Sequence, residues 1–146
     1  MKTVEIRPVR EDEHEQAWQV LRELRTQVDR EAFDHALARQ AQAHGYTLLG
    51  AFEGGDVVGV LGMRVVHTFA RGAHLHVDDL VVTAEARGRG VGRQLLAYAE
   101  EQARERHLGW LFLDSRPGAV GFYERQGYRR HESVLIKKRL DGEHGD

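Results

Sequence analysis

Apolar positions recur along this chain at two periods, and the switches between them outline a fold. Over residues 4–9 they alternate, which predicts a short strand with Pro8 marking an edge or an ending. Ala17, Trp18, Leu21 and Leu24 then fall three or four apart, predicting a helix over 11–25 with acidic residues in its first turn. Asp29 is the expected N-cap of a second helix reaching about His44, with Phe33, Ala36, Leu37 and Ala41 as its apolar stripe and Gly45 as its C-cap. Residues 46–52 and 57–67 are rich in β-branched and aliphatic side chains and flank Gly54-Gly55-Asp56, the pattern of a hairpin. A second turn over 68–72 leads into a strand over 75–83. Val91, Leu95, Leu96, Tyr98 and Ala99 restore the helical period as far as Arg106 or His107. A strand over 108–114, a short helix over 117–126 capped by Gly127, and one or two strands over 128–140 complete the reading.

The predicted order is β-α-α-β-β-β-α-β-α-β. An antiparallel meander followed by a strand-helix-strand crossover makes a mixed α/β domain, with a mostly antiparallel central sheet flanked by helices. Its 146 residues suit one domain spanning 1–146, with 141–146 as a frayed polar tail. A chain 41% hydrophobic and 30% charged reads as soluble and globular. It contains no cysteine, which excludes disulfides, thiolate nucleophiles and zinc-cysteine sites. No apolar run approaches a membrane span, and no export signal opens the chain, so the cytoplasm is the expected location. A net charge of −2 argues against general nucleic-acid binding.

Chemistry concentrates where the strand over 75–83 meets the helix that follows it. Arg87-Gly88-Arg89-Gly90-Val91-Gly92 is a glycine-rich turn entering a helix N-terminus. The first N–H groups of a helix have no intrahelical partner and lie at the positive end of its dipole. Glycines let a phosphate approach them closely. Arg87, Arg89 and Arg93 add full charges, and cations at that helix end oppose the dipole unless an anion joins them. The turn departs from both the dinucleotide and the Walker glycine patterns. It resembles the acetyl-CoA loop of the GCN5-related N-acetyltransferases, whose Arg/Gln-x-x-Gly-x-Gly/Ala signature falls on Arg87, Gly90 and Gly92 after the hydrophobic strand end Leu80-Val81-Val82. A second block resembling that family, Phe122-Tyr123-Glu124-Arg125-Gln126-Gly127-Tyr128, follows downstream at the family's spacing.

The resemblance implies a fold in which the strands ending near Val82 and Asp114 run parallel and splay apart to admit pantetheine. It implies acetyl-CoA as cosubstrate, the backbone of Leu80, Val81 and Val82 pairing with pantetheine, and the N–H groups from Gly88 to Arg93 holding the pyrophosphate, Val91 among them. Phe122 is a core or pantetheine contact. Direct attack by an amine within a ternary complex needs a proton acceptor and a donor for the departing thiolate. Tyr123 matches the family's donor. His76 and Asp78 share a strand face by alternation, with Asp79 on the other unless a bulge intervenes, and either could manage the amine proton. Asp78-Asp79-Leu80-Val81-Val82, with Leu113-Asp114 on the next strand, resembles glucosamine-6-phosphate N-acetyltransferases and makes Asp114 a further candidate. Arg116 departs from the pattern, standing where the family often has Asn.

The expected acceptor is a primary amine of a small molecule, with no nucleic acid or membrane partner and a homodimer left open. The rival reading is a non-catalytic acyl-CoA-binding sensor or interaction domain on the same fold. His74, His76 and Asp78 alternate as a partial metal-ligand set would and faintly resemble the His-x-His of cupins. A cupin would need a further Glu and His within an all-β chain, which the strong helices oppose, and no metal is expected.

Overall fold

A computed structural model describes residues 3–142. Five strands form one sheet in the order β1-β2-β3-β4-β5: Glu5–Pro8, Thr47–Glu53, Asp56–Thr68, Gly72–Val82 and Leu111–Leu113. The first four pair antiparallel, and β5 joins β4 in parallel. Four α-helices accompany them: α1 (His14–Leu21), α2 (Arg30–His44), α3 (Val91–Glu105) and α4 (Val120–Arg125). The described chain divides into two compact units, one through Asp114 and one from Ser115 onward.

In the first unit both faces of the sheet are covered, as the apolar runs of β2 and β3 require. Ala17, Val20, Leu21 and Phe33 from α1 and α2 pack with Tyr46, Leu48, Val60 and Val81 in one buried cluster. Gly59 points to the opposite face, where an added Cβ would stand 3.1–3.2 Å from Leu95 and Val91 of α3. The buried stripe of α3 is Val91, Leu95, Leu96, Ala99 and Ala103, close to the predicted helical face. Asp29 caps α2 by accepting the Ala32 N–H at 2.8 Å, and Gly45 ends it with a φ of 66°.

Several expectations change. The helix predicted over 11–25 is a 3-10 turn at Glu11–Glu13 followed by an α1 that stops at Leu21. The Trp18 indole donates to Val28 O at 2.8 Å, tying the connection after α1 back onto the helix. Of the predicted α2 stripe, Ala36 and Ala41 are exposed, since alanine side chains contribute little area to anchor a face. No strand occurs among the described residues of 128–142. Strand propensity needs a ladder partner to become a strand, and Val134, Leu135 and Ile136 remain 79–86% exposed. Of the tail predicted over 141–146, residues 143–146 lie outside the described residues. Among the described residues no helix is long and apolar enough to cross a membrane.

Candidate active site at the parting of two strands

Strand β4 carries the site, and its pairing changes partway along. Leu75, His76 and Val77 face Leu111, Phe112 and Leu113 of β5. Beyond that β5 ends, whereas β4 runs on to Val82 paired only with β3. Thr83 donates its N–H across to Val58 O at 2.9 Å. By alternation, Val82 and Leu80 turn their N–H and C=O groups to the opposite, vacated edge, and Val81 turns its groups to β3. Of the three residues expected to pair with an extended ligand, Leu80 and Val82 therefore present backbone groups there. The Val82 carbonyl already accepts from Arg87 Nε at 3.3 Å.

Between the two stretches the ladder skips a residue. Met63 pairs with Val77 and Gly62 with Asp79, so Asp78 is the extra residue of a β-bulge. This bulge brings Asp79 to the α1–α2 face, as Tyr46 and Val81 in that core cluster show. Tyr46 Oη donates to Asp79 Oδ2 at 2.7 Å, and Arg25 Nε donates to Asp79 Oδ1 at 2.9 Å. Asp78 takes both arms of Arg64, at 2.7 and 3.1 Å. Neither carboxylate is left without a donor.

His76 is differently placed. Its side chain is 14% exposed, and Nε2 lies 3.8 Å from Asp78 and 3.6 Å from Asp114, both beyond hydrogen-bond length. Burial lowers its pKa below 6.5 and nearby Arg64 lowers it further, against the opposing pull of Asp78 and Asp114. His76 is consequently neutral near pH 7, with Nε2 directed toward the Asp114 carboxylate at the end of β5. The Asp114 side chain is 79% exposed. It does not cap the turn at Pro117–Ala119, whose N-cap is Arg116.

His74, alternating with His76, is 1% exposed. Its Nδ1 donates to Gly72 O at 3.0 Å, and its ring meets Phe112 edge-on at 4.9 Å. It is a core residue. Among the described residues no group of three or more His, Asp or Glu side chains is arranged to hold a metal ion.

The glycine-rich turn follows a 3-10 turn at Ala84–Ala86. Gly88 and Gly90 have φ of 79° and 81°, left-handed values that favour glycine, and Gly90 is the N-cap of α3. A Cβ on Gly88 would meet nothing within 4 Å, and one on Gly90 only the Arg93 guanidinium. These glycines serve backbone shape and open access rather than internal packing. The first intrahelical bond is Gln94 N–H to Gly90 O, so the N–H groups of Val91, Gly92 and Arg93 precede the helical ladder. The arginines divide. Arg89 pairs with Glu53 at 3.1 Å and Arg87 with Glu23 at 3.8 Å, so internal carboxylates already offset two of the charges that the sequence reading ascribed to a ligand. Arg93 has no ion-pair partner within 4 Å among the described residues. The free helix N–H groups, open glycines and Arg93 fit the pyrophosphate of a CoA thioester.

In the second unit, Tyr123 lies on α4 with its ring 5.1 Å from Phe122 and 6.0 Å from Tyr128, both edge-on. Burial raises its pKa above 10, so the phenol keeps its proton at neutral pH. Sequence reasoning missed Arg25, Tyr46 and Arg64. Each lies far along the chain from its carboxylate partner, and no local motif marks it.

Comparison with known proteins shows the family and the fold. The chain is 33% identical over 131 residues to the Bacillus subtilis (strain 168) protein YhdJ, an uncharacterized N-acetyltransferase, covering 87% of this chain and 92% of that one. It is 30% identical over 124 residues to the aminoalkylphosphonate N-acetyltransferase of Salmonella typhimurium (strain LT2), covering 78% and 77% of the two chains. The structure of the aminoglycoside N-acetyltransferase AAC(6')-Iy in complex with CoA superposes with a TM-score of 0.83 over 95% of this chain and 96% of that chain, at 18% identity, a likeness of fold. A sequence model of the acetyltransferase (GNAT) domain matches residues 9–142. The chain belongs to the GNAT acetyltransferase family.

Proposed function

We propose that this GNAT protein transfers the acetyl group of acetyl-CoA to a primary amine of a small molecule, by direct attack in a ternary complex. The observation that carries the reading is His76: a half-buried, neutral imidazole on β4 just before the strand's edge opens. The N–H groups of Val91, Gly92 and Arg93, with the Arg93 guanidinium and the room left by Gly88 and Gly90, would hold the pyrophosphate. The outward backbone groups of Leu80 and Val82 would pair with the pantetheine arm. Bound there, acetyl-CoA supplies an activated acyl group.

Proton management falls to this chain's side chains. An acceptor reaches the enzyme as an ammonium, and the exposed Asp114 carboxylate attracts it. Nε2 of neutral His76 removes a proton, so that the amine gains its lone pair. Asp78 and Asp79 are already engaged as acceptors by arginines and a tyrosine. They keep the surroundings of His76 charge-balanced. Tyr123, still protonated, would supply the proton that the thiolate takes up as the C–S bond breaks. The attacking nitrogen sheds its second proton to water as the amide forms, and the phenolate is reprotonated from solvent.

The acceptor is a compact cationic amine. The Salmonella relative's name points to an aminoalkylphosphonate for that protein, and a phosphonate-bearing amine belongs in the panel tested here. The test is thiol release from acetyl-CoA across amino sugars, polyamines, amino acids and aminoalkylphosphonates. Amine-dependent release supports the reading. Tight CoA binding with no release on any amine would favour an acyl-CoA sensor, a reading to which Arg116 in the family's usual Asn position lends some weight.

A further inference from the structure

We infer that Arg25, in the connection between α1 and α2, is a positioning residue for acetyl transfer, because it clamps the β4 bulge that lies between His76 and the open edge and fixes one relative to the other; this rests on the function proposed above. A bulge leaves its extra residue without a ladder partner and costs the strand part of its pairing. Here the extra residue is Asp78, and Arg25 Nη2 donates to the Asp78 carbonyl at 2.9 Å. The same guanidinium holds Asp79 Oδ1 through Nε at 2.9 Å, and Tyr46 Oη holds Oδ2 at 2.7 Å. Asp79 is thereby fixed at both oxygens, with its side chain only 13% exposed.

Gly62 completes the clamp. It pairs with Asp79 across the ladder, and the Tyr46 ring occupies the space that a Cβ at Gly62 would need. Without the bulge, alternation would put Asp79 on the Val77 face and turn the N–H groups of Leu80 and Val82 inward to β3. The one-residue slip therefore joins two features of the site: His76 on the α1–α2 face before it, and outward backbone groups after it. Arg25 grips the slip from outside the sheet through backbone and side chain together, which an ordinary surface ion pair does not do.

The experiment compares wild type, Arg25→Gln, Arg25→Lys and Tyr46→Phe by amine-dependent turnover, acetyl-CoA calorimetry and amide exchange over 78–82. Arg25→Gln should lower kcat about 10- to 100-fold, as for a small misplacement of reacting groups, and weaken acetyl-CoA binding by a smaller factor, about threefold to fivefold, through Leu80 and Val82. Exchange at 78–82 should quicken while the unfolding transition stays cooperative. Arg25→Lys, which keeps one donor for Asp79, should recover part of kcat; Tyr46→Phe should give a smaller loss and remains informative if Arg25→Gln does not fold. Unchanged exchange, faster exchange with unchanged kcat, or equal losses in kcat and acetyl-CoA affinity would each overturn the inference. A wild-type chain that binds acetyl-CoA but turns over no amine would instead remove the reaction itself, and the positioning role with it.

Discussion

Burial shifts His76 and Tyr123 in opposite directions, and each shift suits the task proposed for it. The His76 pKa lies below 6.5, so a free enzyme that uses it as base loses activity on acidification only below that value, and the quantity that reads this is kcat/KM. The wild-type kcat/KM profile should show an acidic limb with its midpoint under 6.5. His76→Gln should remove that limb and lower kcat about 100-fold, measured as thiol release against pH. The same shift bears on stability: the unfolded state takes up this proton first, so the imidazole's contribution weakens as pH falls below about 6.5. Burial shifts the Tyr123 pKa upward, so the phenol is protonated at neutral pH, as the proposed donor role requires. Tyr123→Phe should lower kcat about 100-fold while the acetyl-CoA Kd from calorimetry stays put. Unchanged turnover would take Tyr123 out of the mechanism. These candidates were visible in the sequence as residue types at telling positions, but the choice among them was not. His76, Asp78 and Asp114 all stood as candidates; the structure pairs Asp78 with Arg64 and leaves Asp114 in solvent, which is why the proposal rests on His76.

At the scale of elements, the turn from β4 into α3 is the most legible part of the chain. Its meaning is local: glycines at left-handed φ, then a helix N-terminus. Gly90→Glu places a carboxylate beside Arg93 and among the unpaired N–H groups, and should abolish acetyl-CoA binding by calorimetry. Gly90→Ala controls for backbone strain, about 1–2 kcal/mol for leaving glycine at such a φ. It should weaken binding only in part, and both variants should retain cooperative unfolding. Normal binding by Gly90→Glu would put the pyrophosphate elsewhere. The β4 bulge was less legible. Asp78-Asp79 in a strand hinted at an irregularity, since two adjacent carboxylates would otherwise face opposite layers of core. What settles it is remote: Arg25, Tyr46 and the missing side chain of Gly62. The 128–140 segment fails for the reverse reason. Its β-prone residues suggest a strand, but pairing depends on a partner that propensity does not supply.

For the whole molecule, a ligand that binds only the folded chain must raise its stability by mass action. Acetyl-CoA at 100 times its Kd should add about 2.7 kcal/mol. For a chain of this size that is a rise in Tm of roughly 5–10 °C, measured by calorimetric or fluorescence melting. NAD and ATP at the same concentrations should shift it little, and a larger shift with either would point the glycine turn at another nucleotide. The net charge of −2 gives a dianionic pyrophosphate no general attraction, so the proposed site draws it with Arg93 and the helix end. The amino-acid sequence alone determined the helical and extended periods, the caps of α2, the glycine turn and the family signatures, because each depends on residues near one another in the chain. Only the tertiary structure decided which carboxylates are already paired, which edge of β4 is open and how the bulge is held. Those depend on charges and side chains brought together from 14 to 54 positions apart, and their energies exist only once the sheet has formed.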